Sequence, residues 1–214
     1  MLRLHAGDRI EIIDSAAGRF SATIVGVNPV VRATLVEAIE PDCVQKPALK
    51  VDVAQAIPKA RRMEFVVEKC TELGACKFLP FYCERSVGRD VGAEKLERWR
   101  RLARTAAQQC GRYDVPEIRN PLDFDALIAR FDEYAAVIFA WEMAQPVPLL
   151  ERLTRALPAR GTVLIVIGPE GGFTHDEAES AQRRGAELVF LGPRILRTDT
   201  AAIVLLAVIG AFTS

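Results

Sequence analysis

Two glycine-proline segments near the C-terminal end hold the residue types best suited to embrace a ligand: IGPEGGF, from Ile167 to Phe173, and LGPRILRTDTA, from Leu191 to Ala201. In Gly168-Pro169-Glu170-Gly171-Gly172 the glycines lack a Cβ, so backbone amides and carbonyls can come close to a bound molecule. Thr174 and Glu177 follow with the T-x-x-E spacing of a capping box, which starts a helix. The second segment adds the cations Arg194 and Arg197 and the hydroxyl of Thr198. A tight strand-to-helix connection without a ligand accounts for the glycines of the first segment equally well, and both readings stand at this point. Phosphate cradling has little support, because neither G-x-x-x-x-G-K-[ST] nor an early G-x-G-x-x-G occurs.

Both segments follow apolar strand sequence, TVLIVI (162–167) and ELVFL (187–191). In open α/β sheets, ligands bind beyond the carboxyl ends of the strands, which is where these loops fall. After Ala54 the pattern predicts helices near 61–73, 93–110, 148–156, 175–184 and 199–212, alternating with strands at 77–82, 135–140, 162–167 and 187–191. Such alternation implies a parallel sheet covered on both faces. From Gly7 to Val53 the runs DRIEIID, RFSATIVGV and VVRATLVEAI alternate at period two and read as antiparallel strands of a small barrel or sheet. Pro58 breaks the pattern, so the expected domains are 1–56 and 57–214. The last helix carries no charge after Asp199. A helix with no polar face must be enclosed, by its own core and by a second subunit, and a homodimer is expected, with a wholly intramolecular core helix as the alternative.

Lys plus Arg equals Asp plus Glu, at 28 each, so no whole-molecule attraction draws a polyanion and any nucleic-acid contact must come from local basic clusters. Lys59, Arg61 and Arg62 form one such cluster. Cations at a helix N-terminus oppose the macrodipole, and a phosphate partner would supply the reason. Arg98, Arg101 and Arg104 on the 93–110 helix either track a phosphate backbone or pair with Glu94 and Glu97 on the surface. Five cysteines without a C-x-x-C pair, and two histidines far apart, argue against zinc and for a reducing compartment. The apolar run 201–211 is shorter than the roughly 20 residues of a membrane span, and the N-terminus has no signal-peptide run, so a cytoplasmic protein without a membrane partner is expected.

In order along the chain, Lys59, Met63-Glu64, EKCTELG (68–74), Pro80, Glu84-Arg85-Ser86, ERW (97–99), QQCGR (108–112), VPEI (115–118), IGPEGGF and LGPRILRTDTA resemble the RsmE-type 16S rRNA (uracil-N3)-methyltransferases of the knotted SPOUT superfamily. The resemblance implies an α/β fold: a C-terminal SPOUT trefoil-knot domain with a parallel sheet, preceded by a small PUA-like β-barrel for RNA, shortened at its start. It implies S-adenosylmethionine held by three loops. These are Phe139, Ala140, Trp141 and Glu142; then Ile167, Gly168, Pro169, Glu170, Gly171 and Gly172; then Leu191, Gly192, Ile195, Leu196, Arg197 and Thr198. It also implies methylation of a specific uridine of 16S rRNA in the small ribosomal subunit, a homodimer through the knotted domain, and no metal. The residues expected to hold RNA are Arg3, Arg9, Lys59, Arg62, Arg85, Gln109 and Arg112. Two departures are mild: Gln108-Gln109 where the family often has Glu-Gln, and Thr-Asp-Thr at 198–200 where Thr-Glu-Thr is usual.

Methylating uracil N3 requires loss of its proton and stabilisation of negative charge on the two carbonyl oxygens. Arg197 suits the second task, since a guanidinium stays protonated and is a poor base. Glu170 and His175 are the candidate proton acceptors. Two rivals remain in view. A knotted enzyme acting on ribose would carry an S-L-N-V-S-type last motif in place of Leu196-Arg197-Thr198-Asp199-Thr200. A non-catalytic RNA-binding protein would keep the fold alone.

Overall fold

The alternating runs before residue 40 fold as their period-two pattern demands. The structure, a computed structural model, describes residues 4–14, 18–39, 48–87 and 91–212. β1 (Arg9–Asp14), β2 (Gly18–Gly26) and β3 (Arg32–Ile39) form an antiparallel meander, with Arg9 opposite Thr23 and Phe20 opposite Ala38. This sheet and the loop Gly111–Asp114 belong to one compact unit. Arg19 of β2 secures the loop. Its guanidinium lies 5.0 Å over the Tyr113 ring, donates to the Tyr113 hydroxyl at 2.6 Å and pairs with Glu11.

The expected PUA-like barrel does not close among the described residues. Three strands make an open sheet, and Leu35 and Val36 of β3 are exposed. β4 (Leu49–Ala56) accounts for the difference. Its first residues read as a continuation of the antiparallel set, yet it lies between β9 (Gly161–Ile167) and β5 (Lys77–Tyr82), parallel to both. All of β4 except Lys50 is buried, as befits a strand packed on both faces. β4 is thus counted with the second compact unit.

The sheet of this second unit runs β10 (Glu187–Val189), β8 (Ala136–Ala140), β9, β4, β5, β6 (Glu117–Ile118), with β7 (Leu122–Asp123) also paired to β5. Every pairing is parallel. Successive side chains enter two separate cores. Val163, Ile165 and Ile167 of β9 pack with α1 (Arg62–Glu72), α2 (Ala93–Gln109), α4 (Leu149–Ala156) and α6 (Thr198–Ala211). Leu164 and Val166 pack with α3 (Phe124–Ile128) and α5 (His175–Arg183) on the other face. Because all strands run the same way, the loops after β8, β9 and β10 emerge at one end.

The last helix is less enclosed than its sequence demands. Ala201, Ala202, Leu205, Leu206 and Ile209 are buried, while Ile203 and Val204 are half-buried and Ala207 is exposed. Among the described residues no helix is long and apolar enough to cross a membrane, and no group of His, Cys, Asp and Glu could hold a metal ion.

At the opposite end of the sheet Asp52 is 3% exposed, accepts from the Tyr134 hydroxyl at 3.2 Å and lies 3.4 Å from Lys77 Nζ. Burial raises its pKa, with Lys77 opposing. An acid whose folded pKa is raised holds its proton more tightly in the native state. Its contribution to stability is thus fully present below the unfolded value and declines as pH rises through the folded one. The unfolding midpoint of Asp52→Asn relative to the parent is expected to rise as pH increases from about 3 to about 7. A pH-independent difference in thermal melts would contradict this.

Candidate functional site

The chain leaves β9 at Ile167 and makes a turn closed by Gly172 N donating to Pro169 O at 3.0 Å. Phe173 then drops back beneath the turn. Its ring is 4.2 Å from that of Phe139, 6.0 Å from Phe124 and 6.2 Å from Phe81. A Cβ on Gly168 would meet this ring at 2.9 Å, so the first glycine is required by what lies under the loop. Gly172 is required by a φ of +68°, whereas a Cβ there would meet only the tip of the exposed Glu142 side chain from the loop after β8, which can swing aside. A Cβ on Gly171 would come within 3.2 Å of Arg85.

The capping box forms as its spacing predicts. Glu177 N donates to Thr174 Oγ1 and Thr174 N to Glu177 Oε2. The buried Glu177 carboxylate does more than cap, since its Oε1 also accepts from Glu84 N at 2.8 Å. In the same stretch Arg85 Nη1 donates to Gly171 O at 2.9 Å and Phe173 O at 3.4 Å. The segment after β5 is thereby stapled to the glycine loop. Arg85, expected to hold RNA, spends this part of its guanidinium on loop carbonyls.

The second loop leaves β10, passes Gly192 at φ +117° and enters α6 at Thr198. Thr198 Oγ1 donates to Gly168 O at 2.5 Å, joining the two loops directly. The three loops enclose a cleft of about 650 Å³, within the size range of small-molecule sites. Of the residues expected to hold a cofactor, all line it except Phe139, which is fully buried against Phe173. Ile195 sits at the rim with 89% of its surface exposed. The buried Trp141 indole N–H has no acceptor among the described residues, and the Trp141 ring meets His175 edge-on at 5.1 Å.

The charged candidates divide. Arg197, Arg194 and Arg62 line the cleft, and among the described residues the Arg197 side chain makes no hydrogen bond or ion pair. Glu170 accepts from Lys59 N at 3.1 Å and lies 3.5 Å from Arg62, so its carboxylate ties the loop to the approach of α1. Gln109 is exposed at the end of α2. Arg9 and Arg112 belong to the antiparallel unit, where Arg112 pairs with Asp114 at 2.7 Å, and Arg3 lies outside the described residues.

Residues 45–210 match a family model described as an RNA methyltransferase domain. Proteins named ribosomal RNA small subunit methyltransferase E are 35% identical over 167 residues in Bacillus subtilis and 34% identical over 215 residues in Synechocystis. This chain is an RsmE-type member of the RNA methyltransferase domain family. The alignments cover 75% and 99% of it, respectively. They span 65% of the Bacillus subtilis relative, under two thirds of its length, and 68% of the Synechocystis one. Among solved structures, a putative methyltransferase from Legionella pneumophila in complex with the bound cofactor SAM is 30% identical, with a TM-score of 0.85 over 98% of this chain and 85% of that one. A ribosomal RNA small subunit methyltransferase E from Neisseria gonorrhoeae, bound to S-adenosyl methionine, is 25% identical with a TM-score of 0.86 over the same shares. The RsmE-type parallel sheet and its three loops are thus those of this family's fold.

Introducing a side chain at Gly172 tests the glycine geometry. Gly172→Ala is expected to lower unfolding stability by about 1–2 kcal/mol from left-handed strain, the Glu142 carboxylate swinging aside. Adding Glu142→Ala should therefore recover almost none of the loss, as a double-mutant cycle in denaturant melts would measure.

Proposed function

We propose that this chain binds S-adenosylmethionine in the cleft between its three loops and methylates N3 of a uridine in 16S rRNA of the small ribosomal subunit, in the cytoplasm. The observation that carries the proposal is the glycine-walled cleft at the carboxyl ends of β8, β9 and β10. Its residues fit such a group: the cleft has the size of a small-molecule site, and the Trp141 indole in its lining is a buried donor without an acceptor among the described residues. The names of the relatives, and the S-adenosylmethionine bound in the two similar structures, support the same reading.

When bound, S-adenosylmethionine supplies a methyl group activated by a sulfonium. The task left to the protein is to hold a uracil ring nearby and to favour its N3 anion, whose charge spreads over both carbonyl oxygens. Arg197, at the cleft and without a partner among the described residues, is the group suited to stabilise that charge. Glu170 acts on the loop through Lys59 N–H and Arg62, which supports a positioning role for it. His175 is exposed beside Trp141 and is the remaining candidate.

The proposal extends to the finer architecture. The chain skips from β9 over β8 to the edge strand β10, and α6 then returns across β9 and β4, a path that supports a trefoil knot. The half-buried Ile203 and Val204, with Ala207, support pairing of two copies through the outer side of α6. The antiparallel unit, with Arg9 and Arg112, is the further RNA contact, completing a division into an RNA-binding piece and a methyltransferase piece.

Calorimetric titration with S-adenosylmethionine should give one site, and absence of binding to folded protein would remove the enzyme reading in favour of an RNA-binding protein. Arg197→Met is expected to slow single-turnover methylation of small subunits about 10²-fold. Wild-type rates in that variant, or N3-methyluridine persisting at every site in 16S rRNA from cells lacking the gene, would overturn the assignment.

A further inference from the structure

Gln55 lies one residue from the end of β4, with its Cα in register with Ile167 of β9 and Pro80 of β5. It is fully buried and does not line the cleft. Its Nε2 donates to Ala56 O at 2.9 Å and to Thr198 Oγ1 at 2.8 Å. A carbonyl oxygen can only accept, so the Ala56 bond fixes which end of the amide is the donor. The Thr198 hydroxyl, receiving from Gln55, must then direct its own proton elsewhere, and it donates to Gly168 O at 2.5 Å. The result is a one-way relay from the central strand to the first residue of the glycine loop, through the first residue of α6. Gln55 Oε1 is buried with no partner among the described residues. A buried acceptor left unmatched costs desolvation, so local stability alone does not explain an amide here.

We propose that Gln55 is a positioning residue for methyl transfer, holding the loop after β9 and the loop before α6 in one arrangement relative to β4. This inference rests on the reading of the cleft as the S-adenosylmethionine site. The relay reaches both loops at their junctions with regular structure, Gly168 directly after β9 and Thr198 at the start of α6. Loss of either hydrogen bond frees both loops together, because the hydroxyl between them serves each.

The test uses the full chain carrying Gln55→Leu, Thr198→Val, both together, and Thr198→Ser. Gln55→Leu gives up two hydrogen bonds but also removes the unmatched buried Oε1, in favour of an apolar side chain of similar size, so it is expected to fold. In ligand-free protein, amide exchange followed by mass spectrometry should quicken in residues 168–173 and 191–197 of Gln55→Leu and Thr198→Val, with α5 unchanged. In calorimetry, each of these should bind S-adenosylmethionine about tenfold more weakly, the double variant no more weakly than either, and Thr198→Ser should remain close to wild type. Unchanged exchange, wild-type affinity in Gln55→Leu, or losses that multiply in the double variant would each overturn the relay. If exchange quickens as expected while wild type itself fails to bind S-adenosylmethionine, the relay stands and the cofactor reading falls.

Discussion

The ring of Phe173 occupies the space where a side chain on Gly168 would have to go, and much of the site follows from that exclusion. The ring joins Phe139 from β8, Phe81 from β5 and Phe124 from α3, so three elements share one aromatic anchor. Aromatic pairs of this kind add about 0.5–1.5 kcal/mol beyond their burial. A loop anchored from below can only be glycine where it crosses the anchor. It can then be closed from its sides, by Arg85 on its carbonyls and by Glu142 against Gly172. The cleft is therefore built by packing first and hydrogen bonding second.

The parallel half of the molecule was legible because its elements are long, periodic and bounded by Gly and Pro. The T-x-x-E spacing at 174–177 predicted the cap, and the two glycine-proline segments predicted the cleft walls. β4 was harder, because Leu49, Val51 and Val53 alternate as a half-exposed strand would, while the small Ala54 and Ala56 that fill the other core carry no strong signal. Phe139 came into the expected cofactor loop with the family resemblance, while the pleat turns its ring into the core. Gln55 was invisible. A lone glutamine at the end of a strand has no pattern, and its meaning depends on Thr198, which is 143 residues away in sequence. Arg85 illustrates the converse: its charge drew an RNA reading, whereas the backbone carbonyls it serves leave no trace in sequence.

The balance of charges gains sense from the structure. Arg98 pairs with Glu64 of α1 at 2.8 Å and Glu97 with Arg100, so part of the basic surface of α2 is answered locally, though by other partners than the Glu94–Arg98 and Glu97–Arg101 pairs the spacing offered. Arg62 leans on Glu170 at the cleft. Against that background Arg194 and Arg197, both lining the cleft and without a partner among the described residues, are the guanidiniums left for a charge that arrives from outside.

The start of α5 has a further consequence. Helix N-termini present unpaired amides and a partial positive pole, which many folds turn toward a phosphate. Here that pole is spoken for. Thr174 Oγ1 takes one amide, and the carboxylate of Glu177 sits at the helix entrance, bonded to Thr174 N and Glu84 N, with Asp176 beside it in the first turn. A junction of strand, glycine loop and helix that elsewhere selects anions is electrically quenched by its own residues. The helix end that does reach the neighbouring cleft is that of α6, whose first turn contributes Thr198 and Ala201 to the wall, so α5 adds no second positive pole there.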